Sequence, residues 1–268
     1  FFEKNFIVIG MKDFNVTGTC FPDQHYMVDI SDRLVQIKAM VDKGNYFCIN
    51  KGRQYGKTTT LSLLPNALAD DYCVFSISFE GLGDSSFSSL DSVGKMFFSS
   101  LFEAAEGLKK SRAGKKNAEN NLSEKAYKFL NKLNKTSRFK IKKDNFDVSK
   151  AISAFCKLNE KPIVILIDEV DQASNYDSFL KFLGLLRDKY LKRNNIPTFH
   201  SVILAGVYDI KNLKLKLRPE EEHKYNSPWN IASQFNVKME FDTTDIATML
   251  TDYEKDHQTG MDVGQISK

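Results

Sequence analysis

Long apolar runs are missing from this chain of 268 residues. No stretch approaches the roughly 20 consecutive apolar residues that a helix needs to cross a bilayer, so no contact with a membrane is expected. Cysteine is scarce: Cys20, Cys48, Cys73 and Cys156 stand far apart, and no C-x-x-C pair occurs. That scatter argues against a disulfide framework or a zinc motif and predicts free thiols of a reducing compartment, hence a cytoplasmic protein. Cys48 and Cys73 fall on stretches expected to be buried strands. A secretory leader is also not evident. The chain opens Phe1-Phe2-Glu3, with no Met, no basic segment and no cleavage-site pattern, which predicts no signal peptide and a trimmed or partial chain. What is present is 42% hydrophobic and 27% charged residues. That balance suits a globular protein with one large α/β domain, or one plus a small appendage.

The most informative stretch runs from Asn45 to Leu61. Tyr46 to Ile49 is a short run of β-formers between Gly44 and Asn50, as a buried strand should be. Gly52-Arg53-Gln54-Tyr55-Gly56-Lys57-Thr58 then turns the chain, and residues 59–68 can continue as a helix. Successive backbone N–H groups from Arg53 to Thr58 can point at one anion, and the helix N-terminus adds its positive dipole end. Gly56 allows close approach and unusual backbone angles. Lys57 is placed to reach the β- and γ-phosphates of a nucleotide, and the Thr58 hydroxyl to ligate Mg²⁺. The pattern G-x-x-x-x-G-K-[ST] would put its first glycine at Lys51, whereas here it stands one residue later, at Gly52. An ordinary glycine turn followed by a surface lysine is the competing reading.

A second strand completes the pattern. Pro162 marks its start, where a missing N–H costs least. Ile163 to Ile167 are five consecutive apolar residues, as in a parallel strand covered on both faces. Asp168 and Glu169 follow, at the end of the strand where open α/β sheets bind ligands. Asp168 is the expected holder of hydrated Mg²⁺. Glu169 is the expected orienter and base for an attacking water.

Together these stretches resemble the P-loop ATPases of the AAA-like class, with Walker A at 51–58 and Walker B at 163–169. More narrowly, the chain resembles the bacterial predicted AAA-ATPase-like family, related to the STAND and archaeal ATPase groups. The likeness runs from about Tyr26 to about Tyr253. It also rests on Phe179 to Arg187 and on Ser201-Val-Ile-Leu-Ala-Gly206. The resemblance implies a three-layer α/β sandwich with a mostly parallel sheet of five strands, in the order 5-1-4-3-2, and the start of a helical lid. It implies ATP and Mg²⁺ as ligands, with Gly52, Arg53, Gln54, Tyr55, Gly56, Lys57, Thr58 and Thr59 around the nucleotide. Residues 1–241 would form the ATPase core, and 242–268 the beginning of a truncated lid.

Tyr26 and Met27 stand where such proteins lay a segment along the adenine, although core packing is the favoured reading of both. Ser31 is the expected cap of a helix with Leu34, Ile37, Met40 and Val41 on its inner face. Residues 6–9 and 72–79 read as strands, and a helix is expected over 89–106. Ser149 to Leu158 reads as another helix. From Lys109 to Lys143 there are thirteen Lys or Arg against two Glu, a net +11; the whole chain carries +4, so the rest carries −7. Residues 107–145 therefore read as a basic insertion, containing a helix started by Asn121 and Glu124 with Leu122, Ala126, Phe129 and Leu133 on one face. Such a charge either contacts nucleic acid or is a solvated face.

Phe179, Phe182, Leu183, Leu186 and Tyr190 recur at helical spacing and read as core. Arg187 and Arg193 lie on or near that helix, where each either reaches a γ-phosphate or pairs on the surface. The strand over 198–206 should lie between the two Walker strands. No Asn or Ser stands directly after Ala205, which leaves Asp209 as the sensor candidate. Arg218 stands roughly where oligomeric relatives carry an arginine finger, which would make the working unit a homo-oligomer. A final strand is expected at 237–241, followed by a helix to about Tyr253. Three functions compete: a hydrolysing ATPase switch, a P-loop kinase, and a module that holds nucleotide or contacts nucleic acid without turnover.

Overall fold

The computed structural model describes residues 11–112, 121–138, 146–207 and 229–268. Its centre is strand β3 (Ile163–Asp168), in which all six residues are buried. β3 is flanked by β2 (Cys73–Ser78) on one side and β4 (Ser201–Gly206) on the other, and β1 (Phe47–Asn50) lies outside β4. All three pairings are parallel, with Phe75 opposite Ile165, Ile165 opposite Val202 and Ile49 opposite Ala205. The strand before Walker A therefore has β4 between it and the Walker B strand, as the resemblance implied.

Side chains alternate across the sheet, and each set meets its own helical layer. Phe47, Ile49, Val164, Leu166 and Ile203 pack with α1 (Ser31–Asp42) and α2 (Lys57–Ala67). Tyr46, Phe75, Ile165, Ile167 and Leu204 face the second layer. That layer is made by α3 (Leu90–Arg112), α4 (Glu124–Arg138), α5 (Val148–Leu158) and α6 (Asp177–Leu191). Each fully buried aliphatic side chain contributes about 1.5–3 kcal/mol, so a sheet covered on both sides is the main source of stability. α4 belongs to this core: Leu122, Ala126 and Leu130 are buried, and Asn121 Nδ2 donates to Tyr72 O at 3.0 Å.

Parallel strands bring their C-terminal ends to one edge. Asn50 stands beside Gly206, and Ser78 beside Asp168. Beyond the sheet lie α7 (Thr243–His257), capped by a reciprocal pair of bonds between Asp242 and Asp245, and the short α8 (Val263–Ile266).

Several expectations need correction. The described sheet has four strands in the order 1-4-3-2, not five. Residues 237–241 form no ladder and bend at Glu240, although Val237 and Met239 are buried against the α1/α2 layer. Two of their carbonyls are used elsewhere: Arg33 donates to Lys238 O at 3.2 Å and to Met239 O at 3.0 Å. Among the described residues, only Ser233 reaches the outer edge of β1, through its N–H to Tyr46 O at 2.8 Å. Ser31 is the first residue of α1 rather than its cap, and Asp29 accepts from its N–H at 2.9 Å. Ser123, not Asn121, caps α4, accepting from Ala126 N at 3.1 Å. α3 runs on to Arg112, past the expected end. The strand expected at 6–9 lies outside the described residues.

Candidate nucleotide site

The site is built where β1 ends and the chain must reverse into α2. Gln54 and Gly56 both take left-handed backbone angles, with φ of 64° and 70°. The first is a mild cost for a residue with a side chain; the second is free only for glycine. α2 then begins at Lys57, two residues before the expected start, so Lys57 and Thr58 lie in its first turn. Its N-cap is Gly56, and no side chain caps it. The first N–H groups of α2 thus remain available to an anion, which is the general basis of phosphate binding at helix N-termini.

Lys57 is buried, and its Nζ donates to Lys51 O at 2.8 Å and to Gly52 O at 2.7 Å. Its side chain thus ties the end of the loop 51–57 back to its first two residues. Arg53, Gln54 and Tyr55 are exposed on the rim. Thr59 Oγ1 accepts from Cys20 N at 3.2 Å, which ties the chain before α1 to the loop.

The second half arrives from β3. Asp168 is buried at the strand end, and Thr58 Oγ1 donates to its Oδ2 at 2.8 Å. Residues 110 positions apart are thereby joined in one hydrogen bond. Glu169 follows in a left-handed conformation, φ 52° and ψ 38°, with its N–H donating to Asp168 Oδ1 at 2.9 Å. A non-glycine residue in that region costs about 1–2 kcal/mol, and strain of this kind is concentrated at functional positions. Burial raises the Glu169 pKa above the ordinary value, and the charges of Asp168 and Asp171 push it the same way, against Lys57. A carboxylate so perturbed is a better proton acceptor than a solvated one.

A third acid, Asp171, had no assigned role in the sequence reading. It lies in the 3-10 turn Val170–Ala173, and its Oδ2 accepts the Val207 N–H at 2.5 Å. A Cβ at Gly206 would sit 2.8 Å from that oxygen. Glycine at 206 therefore admits the carboxylate that fastens the Walker B turn to the end of β4. The signal was present in the Asp168-Glu-Val-Asp171 run, but only the fold brings its last acid to β4.

Beside the loop is a cavity of about 670 Å³, lined among others by Tyr26, Met27, Gln54, Gly56, Thr59 and Met249. Both residues expected near the adenine thus line it. Tyr26 is also packed: its ring lies 5.2 Å from those of Phe14 and Tyr253, and its hydroxyl donates to Asp256 Oδ2 at 2.8 Å. Burial, with Asp256 alongside, pushes the Tyr26 pKa up to about 12.

Two of the remaining candidates have partners of their own. Arg187 Nε donates to Asn230 Oδ1 at 2.7 Å. Arg193 stacks on Tyr190, with its guanidinium carbon 3.9 Å from the ring centre. Asp209 and Arg218 lie outside the described residues.

Residues 9–213 match the family described as Predicted AAA-ATPase. The chain belongs to this AAA-ATPase-like family. Among solved structures, it is similar to a Walker-type ATPase of Pyrococcus abyssi, with a TM-score of 0.60 and 14% identity. The likeness covers 94% of this chain and 65% of that one. At that identity it supports the fold alone. No curated protein matches the sequence. The family points to nucleotide binding and hydrolysis, and among the described residues no helix is long and apolar enough to cross a membrane.

Proposed function

We propose that this AAA-ATPase-like chain binds ATP with Mg²⁺ and hydrolyses it slowly, using the cycle as a conformational switch. The observation that carries the reading is the 2.8 Å bond between Thr58 Oγ1 and Asp168 Oδ2, with Lys57 and Glu169 adjacent in sequence on either side. In this reading the triphosphate lies on the N–H groups of residues 52–58, with Lys57 turned from the loop carbonyls toward the β- and γ-phosphates. The base enters the cavity beside Tyr26 and Met27.

Thr58 and Asp168 would hold Mg²⁺. Their two oxygens are already within hydrogen-bond distance, and such ions are typically held by one or two protein oxygens together with substrate phosphates. When bound, the ion neutralises phosphate charge. Glu169 orients a water and accepts its proton, a role typically worth about 10²–10⁴ in rate.

Residues 1–241 act as the core, and 242–268 as the beginning of a lid. Their attachment supports the switch: α7 meets the segment before α1 through Lys12–Asp252 at 2.8 Å and through Tyr26. The exposed Lys125, Lys128, Lys132 and Lys135 fall at helical spacing along α4, and a contact to nucleic acid would form there. Binding that weakens steeply with salt would be its mark.

The test is Mg²⁺-dependent phosphate release from ATP over a range of protein concentrations, beside Glu169→Gln and Lys57→Ala. The expected result is turnover in the natural chain, binding without turnover in Glu169→Gln, and no binding in Lys57→Ala. Undiminished ATP affinity in Lys57→Ala would overturn the site. A specific rate that rises with concentration would support an arginine supplied by a second copy.

A further inference from the structure

Arg33 lies on the buried stripe Arg33, Ile37, Val41 of α1, and is only 7% exposed. A guanidinium taken out of water is costly unless its charge is met. Among the described residues no carboxylate forms an ion pair with it; Asp245 and Glu240 act from a distance. Two of its nitrogens are used: Nε donates to Lys238 O and Nη2 to Met239 O. Phe241 lies beneath the guanidinium, with 5.4 Å between its carbon and the ring centre. The third nitrogen, Nη1, makes no hydrogen bond to a described residue. It faces the phosphate loop, 3.9 Å from where a Cβ on Gly56 would stand, and Arg33 lines the same cavity as Gly56 and Thr59.

A buried cation with two arms fixed by backbone carbonyls and one free arm beside a phosphate cradle is suited to an anion. Guanidinium forms its strongest bonds with phosphate and carboxylate oxygens. We propose that Arg33 is a nucleotide-binding residue whose Nη1 contacts the phosphate nearest the base, the α-phosphate, on the Gly56–Thr59 side of the loop. The same side chain holds 238–239, the segment that leads into α7, so one group touches both the ligand and the root of the lid. The inference rests on the nucleotide site described above.

The experiment measures binding of ATP, ADP, AMP and adenosine to the natural chain, Arg33→Gln and Lys57→Ala, with a denaturation curve on each to verify folding. Arg33→Gln should weaken ATP, ADP and AMP by about ten- to a hundredfold, the ordinary cost of a hydrogen bond to a charged group, and leave adenosine unchanged. Equal losses for adenosine and ATP, or ATP affinity unchanged in folded Arg33→Gln, would overturn the role. If the natural chain binds ATP and Lys57→Ala does not, unchanged affinity in Arg33→Gln refutes Arg33 alone. If the natural chain binds no nucleotide, both readings fall. Should Arg33→Gln not fold, arginine side-chain NMR of the natural chain carries the test, with Arg33 assigned through Arg33→Lys. Its signal must move with AMP and stay put with adenosine; a signal that ignores AMP refutes the contact.

Discussion

Gly206 offers a sharp test of how the site is braced. Replacing it by Ala would place a methyl carbon 2.8 Å from Asp171 Oδ2 and 3.0 Å from its carboxyl carbon. Both separations are well inside van der Waals contact, so the carboxylate or the strand must move. Overpacking of this kind costs about 1–3 kcal/mol. Moving the carboxylate also weakens its bond to Val207 N, and bonds to charged groups contribute about 1.5–3 kcal/mol. Opposing both is the gain of removing a glycine from a strand, about 0.5–1 kcal/mol. The net expectation is a loss of about 2–3 kcal/mol, read as a lower urea midpoint. In an Asp171→Ala background the obstruction is gone, and Gly206→Ala should be neutral or slightly stabilising. The two substitutions would then show coupling above about 1 kcal/mol, typical of groups in contact. An equal loss in both backgrounds would refute the reasoning, because the obstruction would then lie in the backbone.

Two helix glycines should respond in opposite directions. A Cβ at Gly94 would lie 2.2 Å from Val148 Cγ2 and at Gly184 would meet nothing within 4 Å. Thermal melts should therefore show Gly94→Ala losing about 1–3 kcal/mol, and Gly184→Ala gaining about 0.5–1 kcal/mol. Gly56→Ala must hold a left-handed angle and should cost about 1–2 kcal/mol in denaturant titrations, with weaker ATP binding. Asp147 caps α5, accepting from Lys150 N at 3.0 Å, so Asp147→Ala should cost about 1 kcal/mol near neutral pH. Its carboxyl pKa is lowered by those backbone bonds; the stabilisation is thus present above the unfolded value of about 3.9. It is lost as pH falls through the lower folded value, and the stability curves of the natural chain and the variant should converge there.

The sheet was legible because its signals are local and redundant. Ile163 to Ile167 declare a strand covered on both faces, and the loop from Gly52 to Thr58 declares its own turn chemistry. The fifth strand was not legible: alternation at 237–241 reports only that Val237 and Met239 face inward, and Arg33, about 200 positions away, decides where the carbonyls bond. Arg33 itself was hidden by its charge, although the spacing 33, 37, 41 put it on the buried face of α1. Asp171 was visible as a residue but not as a strut, because β4 enters from another part of the chain. Arg187 was plausible from its helix, yet only the fold supplies Asn230 as its partner.

None of the residues of α7 is buried. Among the described residues its links to the segment before α1 include one ion pair, the Tyr26 hydroxyl, a long bond from Asp29 N to Thr248 Oγ1 and a cluster of rings around Tyr253. β3, by contrast, is buried at every position. The two elements therefore differ in how they exchange amide hydrogens with solvent: β3 must wait for global unfolding, whereas α7 can detach by a local opening of low free energy. On the proposed function, a nucleotide would enter the cavity beside α7 without disturbing the sheet. A ligand that touches both the loop and Met249 would register first as slowed exchange along α7.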